Sequence, residues 1–251
     1  MEAYVTAEHS AEGIATITFF HPAQNSMPSA LLQRLAATIL EVGEEERTKV
    51  IVLKSGGERT FCAGASFEEL ASIETEEQGL TFFSGFANVI NACRQSSAVV
   101  IGRVQGKAVG GGVGLAAATD YCLATQHAAV RLSELLIGIG PFVVGPAIER
   151  KIGVAAFSQM TLNAPSFYSV TWAKEKGLYA EVYESIEALD DAVATLARQL
   201  ASYNPDALRQ LKKVFWEGTE HWSTLLYERA AMSGRLVLSE QTRAAIAKFK
   251  V

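Results

Sequence analysis

Apolar residues along this chain follow two rhythms, and the switch from one to the other outlines the elements. Ile14, Thr16 and Thr18 alternate with Ala15, Ile17 and Phe19, the period of two of a strand with two unlike faces. With residues 2–7 this predicts two strands, 2–7 and 13–20, joined by a polar turn; His21-Pro22 ends the second, because proline cannot continue a ladder. Residues 29–46 change to helical spacing, with Leu32, Leu35, Ala36, Ile39 and Leu40 on one face. A buried strand is expected at 50–53, a short helix at 67–73 and an acidic, solvated connection at 74–78. A second amphipathic helix at 80–93 carries Phe82, Phe83, Phe86, Val89 and Ile90. Val99, Val100, Ile101 and Val104 form a β-branched run suited to a buried strand. A helix is expected next at 113–118 and a strand at 120–124, with Asp120 at the strand entrance. Gly138, Gly140 and Pro141 break any helix begun at Ser133-Glu134-Leu135 before it can extend. Helices are then expected at 146–151, 154–162 and 170–176, and a last strand at 180–183. Only helices come after it, at 186–202, 205–216 and 224–248, with Asn204 and Ser223 at N-cap positions. The recurring strand–strand–helix theme suggests a coiled stack of such turns with a helical tail.

Composition narrows the class. The chain has 251 residues, 49% apolar and 20% charged, which suits one domain with a substantial core. No window approaches ~18 consecutive apolar residues, so no transmembrane helix is expected. The opening residues carry neither a basic n-region nor an apolar h-region, so no secretory signal is expected. A formal net charge of −5 without a basic stripe argues against nucleic acid as a partner. Cys62, Cys93 and Cys122 lack metal-ligand spacing and leave one unpaired in any disulfide scheme. They read as small buried apolar residues in a reducing compartment, which places the protein in the cytoplasm.

Candidate chemistry concentrates where glycine does. Residues 102–115 read GRVQGKAVGGGVGL, a strand running through the triplet Gly110-Gly111-Gly112 into a helix. Such a turn lets the main chain approach a ligand closely and aims unpaired amides, with the positive helix end, at one point. That arrangement suits a negative oxygen formed during reaction; a tight packing corner is the plainer alternative. The small residues of Phe61-Cys62-Ala63-Gly64-Ala65-Ser66 permit a similar approach. No phosphate-binding loop pattern is present.

Three blocks, FCAGASFEEL at residues 61–70, GKAVGGGVGLAAATD at 106–120 and LSELLIGIGP at 132–141, resemble the signature blocks of the crotonase family of enoyl-CoA hydratases and isomerases. HPAQNSM at 21–27 resembles that family's N-terminal block. The resemblance implies an α/β spiral of ββα repeats with a C-terminal helical oligomerisation region: a core over 1–185, a helical region over 186–251, and trimers or dimers of trimers. It also implies an acyl-CoA substrate, with no separate cofactor, metal or membrane partner. A thioester carbonyl would be held by the amides of Ala65 and Gly111. Ala23, Gln24, Ala63, Ser66 and Phe67, with Gly110, Pro141 and Phe142, fall where the family binds substrate and CoA.

Two glutamates hold the water in typical hydratases of this kind. The second corresponds to Glu134; the first corresponds to Gly114, so that carboxylate is absent. The blocks are similar to those of bacterial 3-methylglutaconyl-CoA and related carboxy-enoyl-CoA hydratases of leucine or terpenoid catabolism. On that reading one acid/base glutamate, Glu134, serves hydration, and the space freed at Gly114 accepts a β-branch and a distal carboxylate. Single-carboxylate enoyl-CoA isomerases and a catalytically reduced binding protein of the same fold are the alternatives. Ser66 stands where an aspartate is common, Phe142 where a glycine is frequent, and the tail 247–251 is short of the usual basic ending. Asp120 reads as a structural carboxylate, Lys107 as a surface lysine, Phe82, Phe83 and Phe86 as core or acyl-pocket wall, and Trp216 and Trp222 as subunit packing.

Overall fold

The computed structural model describes residues 2–248, so Phe249 to Val251 of the short tail lie outside the described residues. In chain order the elements are β1 (Tyr4–His9), β2 (Ile14–Phe20), α1 (Ser29–Glu44), β3 (Val50–Ser55), β4 (Thr60–Cys62), α2 (Phe67–Leu70), α3 (Glu76–Gln95), β5 (Val99–Val104), β6 (Lys107–Val109) and α4 (Gly111–Ala117). Then come β7 (Tyr121–Thr125), β8 (Val130–Arg131), a 3-10 turn (Glu134–Ile137), α5 (Gly145–Leu162), α6 (Val170–Glu175), β9 (Glu181–Tyr183), α7 (Ile186–Ala201), α8 (Pro205–Phe215), α9 (Trp222–Leu236) and α10 (Glu240–Lys248).

From β3 onward the strands alternate between two sheets. The larger has the order β1-β2-β3-β5-β7-β9, the smaller β4-β6-β8. Apart from the antiparallel β1–β2 pair, every neighbouring pair of strands is parallel. Each turn of the chain therefore lays one strand in each sheet before the next helix, which is the ββα spiral expected from the resemblance. The central strands β3 and β5 of the large sheet are buried on both faces, whereas most of β1 is exposed. Ile51, Leu53 and Val100 face the main core, while Val50, Val52, Ile101 and Leu123 are covered by Leu189, Val193 and Ala197 of α7. Burial on both sides explains why these strands read as continuous apolar runs rather than as alternation. Among the described residues, no helix is long and apolar enough to cross a membrane.

Several boundaries differ from the sequence expectation. Residues 76–78 belong to α3: Thr75 forms a capping box with Gln78, and Glu76 and Glu77 lie in the first turn, where the helix dipole favours acid. Gly153, at φ 75° and ψ 158°, kinks α5 where a break between 151 and 154 was expected. The helix expected at 224–248 is two helices, α9 and α10. Ser223 is not the cap, and its hydroxyl accepts from Arg94 and Gln95 instead. Asn204 does cap α8.

Trp216 and Trp222 do not serve subunit packing. Both are buried in the chain's own core, 5.9 Å apart in an edge-to-face pair. Trp216 Nε1 donates to Asp120 at 2.7 Å, the Val100 amide donates to Asp120 at 2.7 Å, and Lys212 Nζ reaches both that carboxylate and the Cys93 carbonyl. Asp120 is thus the structural carboxylate expected, and it pins α8 to the core. With both side chains 2% exposed, Lys212→Ala strands a buried charge. It is expected to lower unfolding free energy by about 3–5 kcal/mol in urea titration.

Candidate active site

The three parallel strands of the small sheet end side by side, and each hands the chain to a stretch lining one cavity. β4 leads into Ala63-Gly64-Ala65, β6 into Gly110-Gly111, and β8 into Ser133-Glu134. The cavity has a volume of about 260 Å³. Its wall is mostly apolar, built from Phe82, Phe83 and Phe86 of α3 and from Ile137, Ile139 and Val143, among others. All three phenylalanines are therefore pocket wall, and Phe82 and Phe86 are also buried core.

Backbone proximity sets the centre of the site. Gly64 has φ +94°, and a Cβ placed there would lie 3.0 Å from the Val109 carbonyl oxygen and 3.6 Å from the Gly111 nitrogen. Only glycine allows the 63–65 segment to cross so close to the start of α4. At Gly111 itself, a Cβ would run into the Phe86 ring. The Met27 amide donates to Gly64 O at 2.8 Å and the Ser66 amide to Met27 O at 3.1 Å, which holds the segment in place. Among the described residues, the amides of Ala65 and Gly111 donate to no acceptor. They are two neighbouring free donors at the edge of an apolar cavity.

Glu134 opens the 3-10 turn beside them. A Cβ at Gly110 would meet its Oε1 at 3.0 Å, so the carboxyl sits against the residue preceding Gly111. Its Oε2 is buried and has no hydrogen-bond partner. Burial pushes the Glu134 pKa up to about 7, against smaller opposing effects of the Glu134 and Ser133 amides and of Arg131. A carboxyl titrating there can exchange protons in either direction near neutrality.

The other expected site residues divide. Ala63, Phe67, Gly110, Pro141 and Phe142 line the cavity with Ala65, Gly111 and Glu134. Ser66 does not line it: it is buried, and its hydroxyl caps α2 by accepting from the Glu69 amide. Ala23 and Gln24 lie exposed, outside the cavity wall, and Gln24 Oε1 accepts from the Thr60 hydroxyl at 2.8 Å. Gly114 requires a correction. It opens no space toward a substrate, because the Val144 side chain fills the position its Cβ would take, Val144 Cβ lying 2.6 Å away. The residue bordering the cavity there is Val144.

The sequence reading missed two residues. One is Val144. The other is Arg131, whose signal was a charged residue between apolar Val130 and Leu132 on a strand entering the site. Arg131 lines the cavity and its guanidinium lies 4.5 Å over the Phe167 ring. Its Nε is buried without a hydrogen-bond partner, and among the described residues it forms no ion pair. Lys107 is exposed, as expected, with its ammonium 5.1 Å from the same ring. Cys62, Cys93 and Cys122 are free and buried, and burial pushes each thiol up to about 12. Among the described residues, no group of three or more His, Cys, Asp or Glu could hold a metal.

Comparison with known proteins agrees with this geometry. The family model described as enoyl-CoA hydratase/isomerase matches residues 9–250. The chain is 30% identical over 201 residues to the mitochondrial methylglutaconyl-CoA hydratase of Rattus norvegicus; the match covers 78% of this chain and 63% of that protein's length. It is 29% identical over 214 residues to the bacillaene synthase dehydratase PksH of Bacillus subtilis, covering 85% of this chain and 76% of that one. Among solved structures, the enoyl-CoA hydratase of Bacillus anthracis superposes with a TM-score of 0.79 at 27% identity, over 98% of this chain and 95% of that chain.

Proposed function

Because the chain belongs to the enoyl-CoA hydratase/isomerase family, we propose that it hydrates an enoyl-CoA whose acyl group is branched and carries a carboxylate, such as 3-methylglutaconyl-CoA. One observation carries the reading: a single carboxyl, Glu134, lies in an apolar cavity beside two unpaired amides, Ala65 and Gly111. The relative that acts on methylglutaconyl-CoA supports the substrate class.

The proposed steps use these groups alone. The amides of Ala65 and Gly111 donate to the thioester oxygen. Glu134, as carboxylate, takes a proton from water while the water oxygen bonds to C3. The C2=C3 electron pair moves onto the thioester oxygen as an enolate, which the two amides stabilise. The enolate then collapses, and C2 takes the proton from Glu134, which returns to carboxylate. One water is added in total, and one carboxyl carries the proton both ways. Ala63, Phe67, Gly110, Pro141 and Phe142 contact the acyl-pantetheine portion on this reading. No separate cofactor enters. The exposed Leu211, Val214 and Phe215 of α8 support a homo-oligomer, and we take it to be a trimer or hexamer working in the cytoplasm.

Because the working form is the carboxylate, kcat/KM is expected to rise with pH through about 7 and level off above it. A profile that falls above that pH means that the protonated form does the work. The absence of a second carboxyl also suits an isomerase that moves one proton between C2 and C4. Proton NMR of crotonyl-CoA, 3-hexenoyl-CoA and 3-methylglutaconyl-CoA in deuterated water separates the two. Hydration of the branched acid is the expected result; migration of the hexenoyl double bond without hydration of any substrate indicates the isomerase.

A further inference from the structure

We propose that Arg131 selects the substrate by donating hydrogen bonds to the second carboxylate of the acyl group, an inference that rests on the acyl-CoA reading of this cavity. The cavity wall is mostly apolar, with Ser133 and Ser233 as its neutral polar side chains, and presents two ionisable groups three residues apart, Arg131 at the end of β8 and Glu134 at the start of the 3-10 turn. They are not an ion pair, since no nitrogen of Arg131 lies within 4.0 Å of a Glu134 oxygen. Each carries a buried polar atom with no partner, Nε on one and Oε2 on the other. Leaving such a donor unsatisfied is costly, so a ligand that satisfies it gains affinity.

The guanidinium is also held against an aromatic ring. It stacks 4.5 Å over Phe167, and β8 lies beside β6, with Val109 paired to Arg131 and the Gly110 amide donating to Arg131 O at 2.8 Å. The strand that leads into Gly111, which supplies one of the two free amides, thereby fixes the arginine backbone. A planar, pre-set donor fork matches a carboxylate and offers nothing to a simple alkyl chain. A second carboxylate next to Glu134 would by itself repel its negative form; pairing with Arg131 removes that penalty. The class selected is an acyl-CoA bearing a distal carboxylate.

The test uses unreactive saturated ligands, so binding is read apart from turnover. Titration calorimetry of the full chain with glutaryl-CoA, butyryl-CoA and free CoA should show glutaryl-CoA binding about 10- to 100-fold tighter than butyryl-CoA. R131Q should erase that ratio, while R131K should keep part of it. Equal affinities in the wild type overturn the proposal without any variant. So does R131Q weakening all three ligands alike, which would assign Arg131 to the CoA phosphates. If none of the three binds, the acyl-CoA reading itself fails, an outcome distinct from equal binding.

Discussion

Glu134→Gln abolishes hydration, with kcat expected to fall by about 10²–10⁴-fold, while the protein remains folded. The amide keeps the shape of the carboxyl but cannot take a proton from water or return one to C2. The buried, partnerless Oε2 and the pKa near 7 give this loss a second signature. A carboxyl whose folded pKa is raised binds its proton more tightly in the native state than in the unfolded chain. Stability is therefore highest below the unfolded value near 4.5 and declines as pH rises through about 7. Removing that charge should raise the Tm of Glu134→Gln above that of the wild type at pH 8, with little difference at pH 4.5. Activity and thermal melts on the same preparations check both halves. A variant that loses activity and melts lower at pH 8 points to a structural role for Glu134.

Gly114→Glu is expected to unfold the protein rather than add a second catalytic carboxylate. The Val144 side chain occupies the position a Cβ would take, Gly114 is buried, and the carboxylate would have no partner there. Overpacking and an unpaired buried acid together should cost at least about 3 kcal/mol in urea unfolding. Gly114→Glu combined with Val144→Gly removes the overlap and should recover the share of that loss due to overpacking. A single variant as stable as the wild type, changed only in substrate preference, would restore an open cavity at Gly114.

The fold was legible wherever burial on both sheet faces gave continuous apolar runs, as at Val50–Ser55 and Val99–Val104. The glycines around Gly64 and Gly111 were legible as places of close backbone approach, since that demand is written into side-chain size. Val144 opposite Gly114 was not, because it depends on how the segment after Pro141 folds back onto α4, a contact between residues distant along the chain. The break between α9 and α10 leaves no glycine or proline to mark it. Trp216 and Trp222 look like surface aromatics until Asp120 is seen to bind the Trp216 indole N–H from across the core. Arg131 was legible as a charge between Val130 and Leu132, but its want of a hydrogen-bond partner at Nε, or of an ion pair among the described residues, could not be read, since the sequence does not say which charges lack partners.

The central claim is that one carboxyl both activates the water and protonates C2. Mass spectrometry of 3-methylglutaconyl-CoA turned over in H₂¹⁸O and in ²H₂O tests it most directly, with wild type and Glu134→Gln side by side. The account predicts one ¹⁸O at C3 and one deuterium at C2 in the wild-type product, and neither label in the variant. Hydration that persists in Glu134→Gln, or wild-type deuterium uptake with no ¹⁸O, would contradict it.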